Sequence, residues 1–487
     1  MNKMKVKYLA CAAVFLAILG SRNAYADQFD EADAANKRGD FEAALKLAKP
    51  LADQGDARAE AILGGLYYNG HGVPLDYSEA LKWYQKSADQ GNGSGESGLG
   101  VMYYNGYGVP KDYAGALKWF QKSADQGDGV GEVKLGLMYV YGSGVSKDYS
   151  GGLKWIKKSA DQHNATGQAY LGWLYFQGFG LPQDSNEAAK YFREAADQGN
   201  ADGEAFLGSA YIYGKGVPQD FKEAAKYFRQ AAEQGNANGQ AALGLVYAEG
   251  KGVQQDFVEA LKWNRKAADQ KNSNGEVNLG DLYANGEGVP QDYAEAAKWF
   301  RKAADQGAAN AQLNLGQLYF SGRGVPLDYV EAFGLYQKSA EQGFPLAELM
   351  LGLSYLNGLG IEQDYSKASI WIRKAAEQGL PSAQSEWASL LNKGLGVPQD
   401  YFEAASWAKK SAEQGDWYGQ SMLGQLYVDG HGVPKDLLQA YMWYNIATSG
   451  SPAALKLRDL VAADLTPEQV AEGQKMASEW VAQHSQK

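Results

Sequence analysis

Cysteine is almost absent from this sequence. One of the 487 residues is a cysteine, Cys11, and it lies inside an apolar run near the start of the chain. The rest of the chain therefore has no thiol, which excludes disulfide bonds and cysteine metal sites there. Its stability must come from packing.

Histidine is also scarce, with four residues, His71, His163, His431 and His484. His71 and His431 fill the same position of a repeat ten copies apart, so they cannot meet. No serine or cysteine accompanies them in a repeated arrangement. We interpret the histidines as solvent-exposed residues of turns and of the terminus, and predict no catalytic residue, metal site or cofactor.

Long apolar runs are missing, apart from residues 8–20. Three lysines precede that run, and a small-x-small pattern follows it at residues 24–26. This arrangement predicts a secretory signal peptide, residues 1–26, cut before Asp27. An uncleaved anchor is disfavoured because a membrane span requires ~20 apolar residues. We predict export to the periplasm, surface or surroundings of a bacterium, without stable membrane insertion.

Basic residues are outnumbered, since 46 lysines and arginines face 57 aspartates and glutamates, for a net charge of −11. The signal region contains four of those basic residues and no acid, so the remaining chain is more acidic still. An acidic exported protein is a poor ligand for nucleic acid or an anionic membrane. The acids are spread through the whole chain, and we predict that they form a solvated outer face.

What the sequence does contain is a period of 36 residues, repeated eleven times without an insertion. Asp76, for example, recurs in every copy as far as Asp436. A fixed period of this size indicates one supersecondary unit stacked on copies of itself. Such a stack has a long curved surface, which favours binding over ordinary enzyme chemistry.

Each repeat predicts two helices, A and B. Position 56 is aspartate or asparagine in eight of the eleven copies, as expected for a helix N-cap. Helix A then ends at a Gly-x-Gly turn that begins with Gly70. Asp76 is the predicted cap of helix B, with Glu79 completing a capping box.

Five further positions of the repeat predict packing. Helix A is expected to bury Ala61, Leu63, Gly64 and Tyr67. A glycine inside a helix costs about 1 kcal/mol relative to alanine, so Gly64 indicates that a backbone or ring passes very close. Tyr67 and Trp83 recur at fixed helical positions, which is typical of core stacking rather than ligand binding.

The sequence of the repeat resembles the Sel1-like repeat. Residues 205–235 give a close example, Ala-Phe-Leu-Gly through the Gly-x-Gly turn to Gln-Gly. The tetratricopeptide repeat, with 34 residues and a shorter turn, is the weaker match. The resemblance implies an all-α fold, an α-solenoid of about twelve helix-turn-helix repeats in a right-handed superhelix with a C-terminal capping helix region.

The resemblance also implies a division of the chain. After the signal peptide, residues 28–55 are expected to form a shortened repeat, residues 56–451 eleven full repeats and residues 452–487 the capping helices. Sel1-like proteins are usually adaptors, and the family supplies no shared catalytic residue. A cysteine-rich branch is linked to β-lactam binding or hydrolysis, but this chain lacks its cysteines.

Function is expected where the repeats differ. The variable positions of helix A share a face, and in the third to fifth repeats they hold large residues. We predict that this face, on the inner curve, binds protein through Lys134, Tyr141, Tyr170, Trp173, Gln177, Phe206 and Tyr213. The alternative is that these aromatics pack between repeats. Phe344, Leu380, Trp417 and Tyr418 form a weaker second site.

The sequence favours a non-catalytic scaffold, a monomer that binds one or more proteins of the envelope, of a signalling system or of a host. A peptidoglycan or glycan binder is the first alternative, with Trp173 stacking on sugars. A hydrolase of the β-lactamase kind is the second, and the missing nucleophile constellation weighs against it.

Overall fold

All secondary structure in residues 28–484, the part of the chain that the computed structural model describes, is helical. The predicted signal peptide and Cys11 lie outside these residues. In chain order the helices are α1 (28–37), α2 (Phe41–Asp53), α3 (Ala57–Asn69), α4 (Tyr77–Asp89), α5 (Gly93–Asn105), α6 (Tyr113–Asp125), α7 (Gly129–Tyr141), α8 (Tyr149–Asp161), α9 (Ala165–Gln177), α10 (Ser185–Asp197), α11 (Ala201–Tyr213), α12 (Phe221–Glu233), α13 (Ala237–Glu249), α14 (Phe257–Asp269), α15 (Ser273–Asn285), α16 (Tyr293–Asp305), α17 (Ala309–Ser321), α18 (Tyr329–Glu341), α19 (Pro345–Asn357), α20 (Tyr365–Glu377), α21 (Pro381–Lys393), α22 (Tyr401–Glu413), α23 (Trp417–Asp429), α24 (Leu437–Ala447), α25 (Pro452–Ala462) and α26 (Pro467–His484). The prediction of an all-α fold built from helix pairs with a 36-residue period is confirmed.

The chain divides into two compact units, Met1–Gln255 and Asp256–Lys487. Unit 1 contains α1 to α13 and unit 2 contains α14 to α26. The first full repeat is α3 with α4 and the eleventh is α23 with α24, so odd-numbered helices from α3 to α23 are A helices. Within residues 28–484, no helix is long and apolar enough to span a membrane.

The A helices form the more closely packed side of unit 1. Besides contacting its own helix B, each of them contacts the helix A of a neighbouring repeat, α3 with α5 and so on to α11 with α13. Pairs of B helices within residues 28–255 have no contact of similar extent. In unit 2, α21 and α23 are in contact in the same way. The variable residues of helix A therefore lie on the shorter side of the stack in unit 1.

Helix ends follow the predicted capping signals. The Asp56 carboxylate accepts from two backbone amides of the first turn of α3, at 2.9 and 3.2 Å. Gly70 ends that helix in the left-handed conformation, with φ of 68°. Helices α19 and α21 begin without a side-chain cap, after Phe344 and Leu380, and in both a proline takes the first helical position.

Gly64 is required because a ring lies against it, as predicted. A Cβ at that position would lie 2.6 Å from a ring carbon of Tyr84, on the facing helix B. Repeat 10 has Ala388 at the same position, and the facing residue there is Ala408. Both alanines are fully buried in one cluster. The extra methyl group is therefore accommodated by a small side chain on the partner helix.

The buried face of helix A is wider than the one we predicted. Leu63 and Gly64 are buried as expected, and the residue at position 61 is buried in repeats 2 to 10, but Ala61 itself and Tyr67 are half-buried. The fully buried positions beside them are Ala59 and Leu66. The reason is that helix A packs against its own helix B and both neighbouring repeats, so its buried surface is wider than a single stripe.

The last helix, α26, packs on the last full repeat. Its N-terminus is held by a reciprocal pair, since the Gln469 amide donates to the Thr466 hydroxyl at 3.3 Å and the Thr466 amide donates to the Gln469 side chain at 2.9 Å. The Trp480 ring of α26 meets the Trp443 ring of α24 edge-on, with centroids 5.5 Å apart. Ala477 is buried in the same contact.

Candidate functional site

The predicted binding residues lie on three adjacent A helices of unit 1, and we call them the aromatic face. Tyr141 and Tyr213 are its most exposed members, at 56% and 67% of their full accessibility. Gln177 is also exposed, whereas the remaining members are half-buried. The members are Lys134 and Tyr141 on α7, Tyr170, Trp173 and Gln177 on α9, and Phe206 and Tyr213 on α11.

Four of these side chains form a continuous series of ring contacts. The Tyr141 and Trp173 centroids are 5.9 Å apart, and those of Trp173 and Tyr170 are 6.5 Å apart. Tyr170 in turn meets Phe206 at 5.7 Å in an edge-on arrangement. Phe206 also contacts the buried Phe192 of helix α10, at 5.3 Å. The structure therefore brings these residues together and joins them to the core.

Part of the aromatic face therefore follows the alternative prediction, in which the aromatic side chains pack between repeats. Tyr170 and Phe206 are held between neighbouring helices and form its base. Burial and the neighbouring Asp202 raise the pKa of the Tyr170 hydroxyl, so that group stays neutral at physiological pH. The exposed rings of Tyr141 and Tyr213 remain available to a partner. A rigid aromatic surface of this kind loses little conformational entropy on binding.

A small cavity adjoins the aromatic face at Tyr141. It has a volume of about 140 Å³, and its walls are mostly apolar. Lys134 is the one charged residue among those that line it, which are Val101, Tyr104, Asn105, Phe120, Lys134, Leu137, Met138 and Tyr141. The cavity is large enough for an aliphatic side chain, with a cation available at its rim.

The same positions carry polar residues in α15 and α17, the first two A helices of unit 2, and we call this set the polar face. They are Asn278, Asp281 and Asn285 on α15, and Asn314, Gln317 and Ser321 on α17. The Asn314 side-chain amide donates to the Asp281 carboxylate at 3.2 Å. Burial, and secondarily the charge of Glu287, raise the pKa of Asp281 to about 6.

A column of buried acids and amides escaped the sequence analysis. Position 60 is glutamate or glutamine in all eleven copies, and every one of these side chains is buried. The Gln90 amide donates to Glu60 at 2.8 Å, and an equivalent glutamine makes the same bond in eight other repeats. The expectation that the acids form a solvated outer face is therefore wrong at this position.

The acids of this column differ in how their charge is balanced. Lys158 forms an ion pair with Glu132 at 2.9 Å, and Lys374 forms one with Glu348 at 2.7 Å. Glu204 has Gln230 where those repeats have lysine. Burial therefore raises its pKa to about 7, although the Gln234 amide donates to it at 2.7 Å.

His71 and His431 are less exposed than predicted, whereas His163 is exposed, as predicted. The His71 ring stacks on Phe41 with centroids 4.0 Å apart, and His431 stacks on Tyr401 at 3.9 Å. Burial lowers the pKa of His71. Each of these rings lies between two turn glycines and covers the first residue of a helix B in the preceding repeat. Within residues 28–484, no cluster of three or more histidine, cysteine or acidic side chains is arranged to hold a metal ion.

The four residues predicted as a weaker second site do not all lie together in the structure. Trp417 is 45% exposed and meets Tyr418 at 5.8 Å. Tyr418 is half-buried, and its hydroxyl lies 3.4 Å from that of Ser389. Phe344 and Leu380 pack against two separate core clusters. These four residues therefore do not form one surface.

Comparison with known proteins gives one family. The model of the Sel1 repeat matches eleven segments, which are residues 57–92, 94–128, 130–164, 165–200, 201–236, 237–272, 273–307, 309–344, 345–380, 381–416 and 417–451. These segments follow the 36-residue period. No curated protein matches the sequence.

Two solved structures illustrate the similarity. A protective antigen present in uropathogenic Escherichia coli strains, which displays an SLR fold, is 34% identical, with 90% of this chain and 95% of that chain covered and a TM-score of 0.56. A Sel1 repeat protein from Oxalobacter formigenes is 33% identical, with 63% of this chain and 90% of that chain covered and a TM-score of 0.44.

Proposed function

Because the chain belongs to the Sel1 repeat family, we propose that it is a non-catalytic scaffold that binds a partner protein on the aromatic face. Sel1 repeat proteins mediate protein–protein interactions, and the family is typically non-catalytic. The observation that carries the proposal is the pair of exposed rings, Tyr141, which contacts the packed ring of Trp173, and Tyr213, at the equivalent position two repeats later. Aromatic side chains that become buried when a partner binds contribute most of the binding energy in many protein interfaces.

The partner is a protein of the bacterial envelope, of a signalling system or of a host, and the scaffold acts as a monomer. Export through residues 1–26 is part of this proposal, supported by the basic start, the apolar run and the small residues before Asp27. The similar solved structure of a protective antigen also supports a location outside the cytoplasm. Mass spectrometry of the protein from an envelope fraction tests this part, with an N-terminus at Asp27 expected and an intact leader contradicting it.

Affinity capture from envelope extract and host fluid tests the binding surface. The variant Y141S/Y213S removes two exposed rings, so its stability is expected to change by no more than about 0.5 kcal/mol per site. A protein retained by the parent chain should bind this variant at least about 30-fold more weakly, which corresponds to ~2 kcal/mol.

The matched control is Phe402→Ser in unit 2, since Phe402 is the most exposed of the large apolar residues in residues 28–484, at 79%. This variant should capture as much partner as the parent does. Equal capture by Y141S/Y213S would refute the aromatic face as the binding surface. Retention of soluble wall glycan, with no protein, would favour the glycan alternative instead.

A further inference from the structure

The polar face adjoins a pocket of unit 2 that is lined by one acid, one arginine and several side-chain amides. The pocket has a volume of about 380 Å³. This lies at the lower end of the roughly 300–1,000 Å³ typical of small-molecule sites. Helices α15, α16 and α17 and the turns that follow α15 and α17 line it. Its polar lining residues are Asp281, Asn285, Gln291, Tyr293, Asn314, Gln317, Ser321 and Arg323.

Two opposite charges line this pocket without pairing. Asp281 and Arg323 form no ion pair with each other, and within residues 28–484 neither has another ion-pair partner. The Arg323 guanidinium lies 5.5 Å from the centre of the Tyr293 ring, which holds it at the edge of the pocket. Its hydrogen-bond donors remain free for an anionic group, and a carboxylate matches the geometry of that fork.

Asp281 is incompletely compensated for its burial. Its carboxylate accepts one hydrogen bond, from Asn314, and it lies near the like charge of Glu287. A buried carboxylate needs a cation or several donors to offset desolvation. An ammonium group from a ligand would supply a positive charge and three hydrogen-bond donors.

Asn285 gives an independent indication that the pocket is open to a ligand. At the same repeat position, the Asn69 and Asn357 amides donate to the carbonyl four residues earlier in their own helices, both at 2.9 Å. Within residues 28–484, the Asn285 side chain makes no such bond. The exposed Gln317 amide on α17 also has no hydrogen bond within residues 28–484, so two uncommitted amide groups line the same pocket as the two charges.

From this arrangement we propose that the pocket binds a small zwitterion, a free α-amino acid or a dipeptide. The ligand ammonium pairs with Asp281, and its carboxylate pairs with Arg323. The Asn285 and Gln317 amides contact the groups between those ends, as a peptide bond requires both a donor and an acceptor. The volume of the pocket limits the ligand to about this size.

Calorimetry of the mature chain with L-alanine and with L-alanyl-L-alanine tests the proposal. At least one of them should bind, and the N-acetylated and C-amidated dipeptides should bind at least about tenfold more weakly, because each lacks one charge. Asp281→Asn and Arg323→Gln should cause similar losses. Asp281→Asn is nearly isosteric, Arg323→Gln replaces an exposed side chain by a shorter polar one, and circular dichroism verifies that the variants remain helical.

Lys215→Gln is the matched control, since Lys215 occupies in unit 1 the turn position that Arg323 has in unit 2. That variant should bind like the parent chain. Equal binding of the blocked dipeptides, unchanged binding by Asp281→Asn, or no binding of either probe would overturn the proposal. The pocket and the aromatic face share no residue, so this proposal and the protein-binding proposal can fail separately.

Discussion

The aromatic face of unit 1 and the polar face of unit 2 occupy the same positions of the repeat but differ in every side chain that a ligand would meet. Trp173 and Asp281 are at equivalent positions, and so are Tyr170 and Asn278. Tyr213 and Asn285 are equivalent as well, each being the last residue before the turn. The backbone of helix A is alike in both. The comparison shows that the repeat fixes a frame, while the variable positions determine which chemistry the frame presents.

The two faces also differ in what their residues leave unsatisfied. Tyr170 and Phe206 are packed against other rings, so what remains exposed is apolar area. On the polar face, Asp281 and Arg323 are charges without counterions. Apolar area binds another apolar surface with little directional preference, whereas separated charges select a ligand of matching length and sign.

The largest expected effect is a loss of stability on substitution of the buried glycines in the helix A backbone that both faces share. A Cβ at Gly172 in unit 1 would lie 2.8 Å from the Phe192 ring, and one at Gly316 in unit 2 would lie 2.7 Å from the Tyr336 ring. Gly172→Val and Gly316→Val should therefore each lower the free energy of unfolding by about 3 kcal/mol, through overpacking. Urea denaturation followed by circular dichroism measures the loss.

Gly334 provides the control for this pair, because a Cβ there would meet no atom within 4 Å. Gly334→Ala should leave stability unchanged or raise it by up to about 1 kcal/mol, since alanine favours the helix. If valine lowered the stability at one of the two positions and not at the other, helix A would not pack against helix B in the same way under the two faces.

A reciprocal exchange at one repeat position should have the next largest effect. Trp173→Asp should weaken partner binding on the aromatic face about 30-fold, or ~2 kcal/mol, because it removes a central ring. Asp281→Trp should abolish the binding of L-alanyl-L-alanine, because it removes the anion and fills the pocket. Capture and calorimetry measure the two losses. Binding that survived either exchange would show that the variable position does not determine the chemistry of its face.

The smallest effect concerns the buried acid beneath the aromatic face. Glu204 has a pKa of about 7 in the folded chain, above its ordinary value. The folded state therefore holds the proton at a pH where the unfolded state has lost it, so stability falls as pH rises from about 4.5 to about 7 and is constant above that. Glu204→Gln should remove this slope and raise stability at pH 8 by about 1–2 kcal/mol.

Glu132→Gln is the matched variant for this test, because Lys158 already balances that charge. It should give no gain at pH 8. Unfolding midpoints at pH 4.5 and pH 8 provide both comparisons. An equal gain for the two variants would mean that the missing lysine is not the cause of the pH dependence.

Much of the fold was predictable because its signals are local. The caps at Asp56 and Asp76, the left-handed glycines of the turn and the period itself depend on a few neighbouring residues. The buried column at Glu60 was not predicted, although its recurrence is visible in the sequence. An acid in the first turn of a helix has a ready explanation in the helix dipole, so nothing in the sequence indicated that a glutamine thirty residues later donates to it.

For the binding surface, the sequence identified which positions vary and that those of the third to fifth repeats are aromatic. It could not rank their exposure, because Tyr170 and Tyr213 have the same chemistry at comparable places. The packing decided that Tyr170 lies against Phe206, while Tyr213 remains exposed. In the same way, Asp281 and Arg323 lie forty-two residues apart in the sequence, and only the packing of the helices places both in one pocket.

By itself, then, the sequence determined the helix pairs, their ends and their period, because capping and helical spacing act over one or two turns of the chain. Only the tertiary structure decided that Asp281 and Arg323 share a pocket, that Glu204 lacks a cation and that Ala408 makes room for Ala388. Each of these depends on which side chain the neighbouring helix places opposite, and burial, charge and free volume are properties of that pairing rather than of either residue alone.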